Sequence, residues 1–241
     1  MTTIKTCIVA LSALISTATV KAQTADEIIA KHTEAIGGQD KLAQINSVYI
    51  EAGTEAMGNE APTKIYIING KGYRSESDMM GQTIVQVVTD KSGWAIMPFG
   101  GSSDPAALPD DIYKANADQV YQADPLINYA ANGGKVELQG QQTVNGVNAD
   151  KIKYTNKYGA ETTYYIDPST WYIIQSIKQG EMMGQTVTIT TTYSNFQKTD
   201  YGITLPYTSN VDMGQFAMTI NTKKVEVNKD IDQKIFDMPA K

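Results

Sequence analysis

One histidine, one arginine and one cysteine bound the chemistry open to this 241-residue chain. His32 alone cannot build a multi-histidine metal site. Cys7 lies in a leader that is expected to be removed, so the mature chain has neither a thiol nucleophile nor a disulfide. No Gly-x-Ser-x-Gly stretch is present to form a nucleophile elbow. Gly100-Gly101-Ser102-Ser103-Asp104 is glycine-rich but lacks the Gly-Lys-Ser/Thr end of a phosphate loop. Asp110-Asp111 and Asp230-Ile231-Asp232 lack calcium-loop spacing and read as solvated cap residues. A carboxylate pair brought together from different strands stays open for glycoside chemistry. The expectation is a protein that is not an enzyme and carries no cofactor and no metal.

What recurs instead is a turn. It reads Glu55-Ala56-Met57-Gly58-Asn59, Asp78-Met79-Met80-Gly81-Gln82, Glu181-Met182-Met183-Gly184-Gln185 and Asp212-Met213-Gly214-Gln215. Glycine supplies the positive φ of a tight hairpin. Methionine is unusual at a hairpin tip, where Asn, Asp, Ser and Pro prevail. Two readings stand: exposed methionines that do nothing, or a flexible apolar rim that grips a hydrophobic partner.

Residues 1–22 read as a secretory signal peptide: Lys5, the apolar run Ile8 to Ile15, and Ala22 before Gln23. Cys7 precedes that run, so it is not the lipidated residue of a lipoprotein. The mature chain is expected to begin at Gln23 and to form one domain, 23–241, in the periplasm. Removing the leader takes away Lys5 and Lys21 and no acid, so the net charge moves from −6 to −8. That balance argues against nucleic acid as a partner.

Thr24-Ala25-Asp26-Glu27 is a capping box. Ile28, Ile29, His32 and Ile36 then follow at helical spacing, and Gly37-Gly38 stops the helix. His32 falls on the core side, where a structural role outweighs a catalytic one. A second helical piece runs from Asp40 to Ile45. Period two begins at Ser47, with strands near 47–55, 62–68, 72–78, 83–89 and 93–97. Asp104-Pro105, Asp110-Asp111 and Asp124-Pro125 read as helix starts, so 104–134 is expected to hold two or three short helices. Strands resume near 135–144, 147–155, 161–167, 171–178, 185–198, 203–211 and 215–227. Val187, Ile189, Thr191 and Tyr193 share one face, and Thr186, Thr188, Thr190 and Thr192 the other, as in an antiparallel sheet with one covered face. If these twelve strands form one meander, all four Met-Gly turns lie at one end. The helical segment then starts and finishes at that end as well.

The chain resembles the LolA-like periplasmic lipoprotein carriers and their outer membrane lipoprotein-sorting relatives. The resemblance is carried by Asp26-Glu27-Ile28-Ile29 with Ala35-Ile36-Gly37-Gly38, Gly72-Tyr73-Arg74, Gly93-Trp94-Ala95-Ile96-Met97-Pro98, Tyr165-Ile166-Asp167-Pro168-Ser169-Thr170, Gly202-Ile203-Thr204-Leu205-Pro206 and the Phe236 tail. It implies a mainly β fold with α: a curved antiparallel sheet, a half-open barrel, whose concave face is covered by N-terminal and mid-chain helices. It also implies a cavity for lipid or lipoprotein acyl chains. In the carriers an arginine on an early strand holds the lid shut. Arg74, the only arginine, is the matching residue; pairing with Glu76 on the solvent side is the competing reading. The ligand-binding set expected on this basis is Arg74, Met57, Met79, Met80, Trp94, Met182, Met183 and Met213. The alternative is a monomeric envelope module that docks a partner protein through its methionines and holds no lipid.

Overall fold

The computed structural model describes residues 23–79, 81–98, 102–121, 124–182 and 185–239. The leader, Met80 and Met183 lie outside them. Helix α1 (Ala25–Ile36) starts on the capping box: Glu27 N–H donates to Thr24 Oγ1 at 3.2 Å, and Thr24 N–H to Glu27 Oε2 at 3.1 Å. It ends at Gly37, whose φ is 149°. A Cβ there would stand 2.9 Å from Ile203 Cγ2, so the close approach of helix end and sheet requires glycine. Ile28, Ile29, His32 and Ile36 are all buried, as the spacing predicts. A short helix, α2 (Gln39–Ala43), leads into the sheet.

Among the described residues thirteen strands follow: β1 (Ser47–Ala56), β2 (Asn59–Ile68), β3 (Gly72–Met79), β4 (Gln82–Thr89), β5 (Gly93–Met97), β6 (Ser102–Ala107), β7 (Lys135–Val144), β8 (Val147–Thr155), β9 (Glu161–Ile166), β10 (Ile173–Met182), β11 (Gln185–Lys198), β12 (Thr204–Asp212) and β13 (Ala217–Val227). They form one sheet in the order β6-β5-β4-β3-β2-β1-β13-β12-β11-β10-β9-β8-β7. Every neighbouring pair is antiparallel, including β1 with β13, where Val48 faces Val227 and Ala56 faces Met218. That pairing joins two meanders into a curved, half-open barrel with free edges at β6 and β7.

The segment 104–134 departs from expectation. Asp104 and Pro105 do not start a helix; they lie in edge strand β6. The β5–β6 register shifts between Ala95 and Met97, and Pro105 falls in that irregularity, where a residue without an N–H is tolerated. Helix α3 (Asp110–Asn116) does begin at the paired aspartates, with Lys114 bonded to Asp110 one turn back at 2.6 Å. A 3-10 turn, Ala117–Val120, follows. Asp124 caps Leu126 N–H at 2.8 Å, but the chain beyond it runs in successive turns rather than a helix.

The extra strand also revises the connection count. The Met-Gly hairpins join β1–β2, β3–β4, β10–β11 and β12–β13, and the strand directions still place all four at one end. The link from β6 to β7 does not start and finish there. It starts at the far end and crosses the concave face, and that crossing restores the parity that the added strand breaks.

The concave face carries Val48, Ile50, Ile67, Tyr73 and Val88. Val48 and Ile67 pack with Ile36 and Leu42, and Val88 with Tyr113 and Val120 of the crossing segment. Over β7–β10, Ile28 and Ile29 of α1 pack with Leu126, Ile152, Tyr154 and Tyr164. The convex face is covered too, at β4–β5, where Val85, Val87 and Trp94 pack with Phe236 of the C-terminal tail.

Candidate functional site

Between the concave face and its cover lies a cavity of about 440 Å³. Ile50 and Ile65 from β1 and β2, Ile173 from β10, Leu205 from β12 and Val225 from β13 supply apolar wall; Ile36 of α1 closes it from above. Strand alternation puts these side chains on one face, and curvature brings strands distant in sequence around one space. The volume lies in the lower part of the range of small-molecule sites, about 300–1,000 Å³.

The wall formed by α1, the crossing segment and β9–β11 is polar. His32 is 3% exposed. Its Nε2 lies 3.0 Å from Asp124 Oδ2 and its Nδ1 2.7 Å from the Trp171 carbonyl. Both nitrogens face acceptors, and an imidazole donates from both only when protonated. Burial alone would push the imidazole down; the Asp124 charge and the two hydrogen bonds outweigh it and leave the pKa raised. Lys178 on β10 donates to Asn116 Oδ1 at 3.1 Å. Burial pushes its ammonium below the ordinary lysine range, opposed by Asp118. Burial raises the Asp118 carboxyl, against hydrogen bonds from Asn156 and Tyr154. Tyr193 meets Ser176 Oγ at 3.0 Å. Tyr164, 7% exposed, has no hydrogen-bond partner for its hydroxyl among the described residues, and burial raises its pKa well above the usual value.

The residues expected from sequence to bind ligand are placed elsewhere. No methionine lines the cavity among the described residues. Met57 sits at a hairpin tip with φ 51° and 78% exposure, beside a shallower cleft shared with Met218. Met213 is half-buried in its own turn, its N–H donating to the Phe216 carbonyl. Met79 and Met182 end their strands, opposite Gln82 and Gln185. Met80 and Met183 lie outside the described residues.

Arg74 and Trp94 lie on the convex face. Arg74 pairs with Glu76 at 2.5 Å, as one reading allowed, and donates from Nη1 to the Ile235 carbonyl at 2.8 Å. Its guanidinium stands over the Trp94 ring at 5.4 Å, and Trp94 Nε1 donates to the Phe236 carbonyl at 2.9 Å. The expected contact between Arg74 and the mid-chain helices is therefore replaced by one with the C-terminal tail. Arg74 shares its face with Val87 and Tyr66, while Tyr73 beside it faces the cavity.

Sequence reading missed Lys178, Asp118, Asp124 and Tyr164 as members of one wall. Alternation gave no signal for Lys178: the register shift between Ile173 and Gln175 breaks the period of two in β10 and puts Lys178 in the cavity lining with Ile173.

The fold so built is LolA-like. Similar solved structures include a DUF1329 family protein from Desulfovibrio piger, at 14% identity over 88% of this chain and 96% of that one, with a TM-score of 0.58. A LolA superfamily protein from Nitrosomonas europaea matches at 14% identity over 90% and 98%, TM-score 0.57. A putative outer membrane lipoprotein-sorting protein domain from Vibrio parahaemolyticus matches at 10% over 88% and 95%, TM-score 0.56. No family model matches the sequence, and neither does any curated protein.

Proposed function

We propose that the protein binds and carries hydrophobic ligands, lipid or lipoprotein acyl chains, in the cell envelope, after export and removal of residues 1–22. The observation that carries this reading is the apolar cavity between the concave sheet and α1. A protein that only docked a partner would need no such space, and its core would be filled to ordinary packing density. A chain of about twelve buried carbons offers roughly 10 kcal/mol at about 0.8 kcal/mol per CH₂. Several kcal/mol of ordering cost still leaves micromolar binding. The likeness to a lipoprotein-sorting domain agrees with this assignment. The binding residues proposed are the cavity isoleucines with Leu205 and Val225, in place of the methionine tips. No catalytic group is needed, and the protein is proposed to act as a monomer.

Purified protein extracted with organic solvent and analysed by mass spectrometry tests the reading. Acyl lipids in the extract, and micromolar uptake of a fluorescent fatty acid, are the expected results. Empty extracts together with no uptake overturn it.

A further inference from the structure

Lys178 is an ammonium at the wall of an apolar cavity with no carboxylate at ion-pair distance among the described residues. Its Nζ donates to one neutral oxygen, Asn116 Oδ1. Asp118 faces it and favours its charge, without closing to an ion pair among the described residues. The other cation of the wall, His32, is already paired with Asp124. One strand over, Tyr164 stands opposite Ser176, and Lys178 opposite Thr162, so Tyr164 and Lys178 are diagonal neighbours on the same face. Tyr164 is more than nine-tenths buried and lines the cavity, and its hydroxyl has no hydrogen-bond partner among the described residues. Both side chains line the cavity from the β9–β10 wall, while Ile50, Ile65, Leu205 and Val225 supply aliphatic wall elsewhere in it. A half-buried cation and a hydroxyl at the cavity wall both gain from an acceptor that enters the cavity.

We propose that Lys178 and Tyr164 form a head-group site, and that the preferred ligand is a single-chain amphiphile with one negative charge, a long-chain carboxylate. This rests on the carrier reading above and narrows it. The head accepts from the Lys178 ammonium and the Tyr164 hydroxyl, and the chain runs along Ile50, Ile65, Ile67 and Leu205. A neutral acyl group would leave Lys178 as it stands. A dianionic phosphate would satisfy it but would meet the charge of Asp118 on the facing wall, which a single carboxylate bears at half the cost. The cavity volume favours one chain over several.

Displacement of a bound hydrophobic dye by dodecanoate, dodecanol and dodecyl phosphate tests the site. On the wild type, dodecanoate is expected to bind about tenfold more tightly than dodecanol, the contribution of one charge-assisted hydrogen bond. Lys178→Met, which keeps length and removes charge, should abolish that advantage and leave dodecanol within about threefold. Tyr164→Phe should reduce it by a few-fold. The wild-type advantage should also fade as pH rises through the lowered pKa of Lys178, a readout that needs no variant. Equal binding of dodecanoate and dodecanol overturns the head-group site and leaves the carrier reading standing. Tighter binding of dodecyl phosphate than of dodecanoate overturns the single-charge assignment. Displacement by none of the three overturns both readings.

Discussion

His32 on α1 and Asp124 at the head of the turns beyond the crossing segment meet at 3.0 Å. They are 92 residues apart in sequence, and their pair ties the two covers of the cavity to each other. The second ring nitrogen reaches the Trp171 carbonyl, in the connection between β9 and β10, so three separate segments are held by one imidazolium.

This arrangement makes stability depend on pH. The folded pKa of His32 is raised above its ordinary value of 6.5, so the charged form is the one that folding favours. The stabilisation is fully present below about pH 6.5 and is lost as pH rises through the folded value. The melting temperature should fall between pH 6 and pH 9 in the wild type. His32→Leu should be less stable at pH 6 by about 2 kcal/mol, because Asp124 loses a charged partner while still largely buried. In that variant the fall should flatten. Thermal melts at both pH values decide it; an equally steep fall in the variant would count against the pair.

The tail on the convex face gives a second expectation. Phe236 lies over Gly72, where a Cβ would stand 2.8 Å from the ring, while Trp94 and Arg74 bond to the carbonyls of Phe236 and Ile235. Gly72→Ala should destabilise by about 1–3 kcal/mol through overpacking. Phe236→Ala should cost about 3–5 kcal/mol. Arg74→Lys keeps charge but loses the planar fork, and should lower the melting temperature modestly. None of the three should change fatty-acid affinity, since all act on the face away from the cavity. Loss of uptake in Arg74→Lys with unchanged melting would return that residue to a ligand-gating role.

How much of this was legible depends on range. The capping box, the Gly37 stop and the alternation of Val187 to Tyr193 are local, and the structure realises each. β6 was misread because Asp104-Pro105 carries the chemistry of a helix start, while an edge strand tolerates the same pair. Alternation correctly put Arg74 and Glu76 on one face and Tyr73 on the other. It does not say which face is inside; the curvature and the covering segments settle that. The polar wall was invisible for the same reason. Lys178 and Asn116 are 62 residues apart, and no local spacing joins them.

The methionine tips give a third expectation. Met57 is mostly solvent-exposed and stands outside the cavity lining, so Met57→Ser should leave fatty-acid uptake within about twofold and stability within about 0.5 kcal/mol, the usual range for an exposed site. Titration of the variant with a fluorescent fatty acid checks this. A tenfold loss would mean that the hairpin tip takes part in loading.

The cavity itself is tested most directly by filling it. Ala52 on β1 is 3% exposed and lines the space between Ile50 and Thr222, its cross-strand partner on β13. A larger side chain there enters the cavity, because the sheet fixes the direction of its Cβ. Ala52→Phe should therefore occupy much of the volume that a bound chain would use. Its effect on stability has two opposed parts. Overpacking against β2 and β13 costs about 1–3 kcal/mol. Burial of an aromatic ring in an otherwise open apolar space returns about 1.5–3 kcal/mol. The net should be small, and the variant should remain folded. Fatty-acid affinity should drop by at least about tenfold, since each CH₂ excluded forfeits about 0.8 kcal/mol and only a few need to be displaced. Circular dichroism, a thermal melt and a binding titration on the same sample separate the outcomes. A folded Ala52→Phe protein that takes up fatty acid as well as the wild type would mean that the ligand lies elsewhere on the molecule.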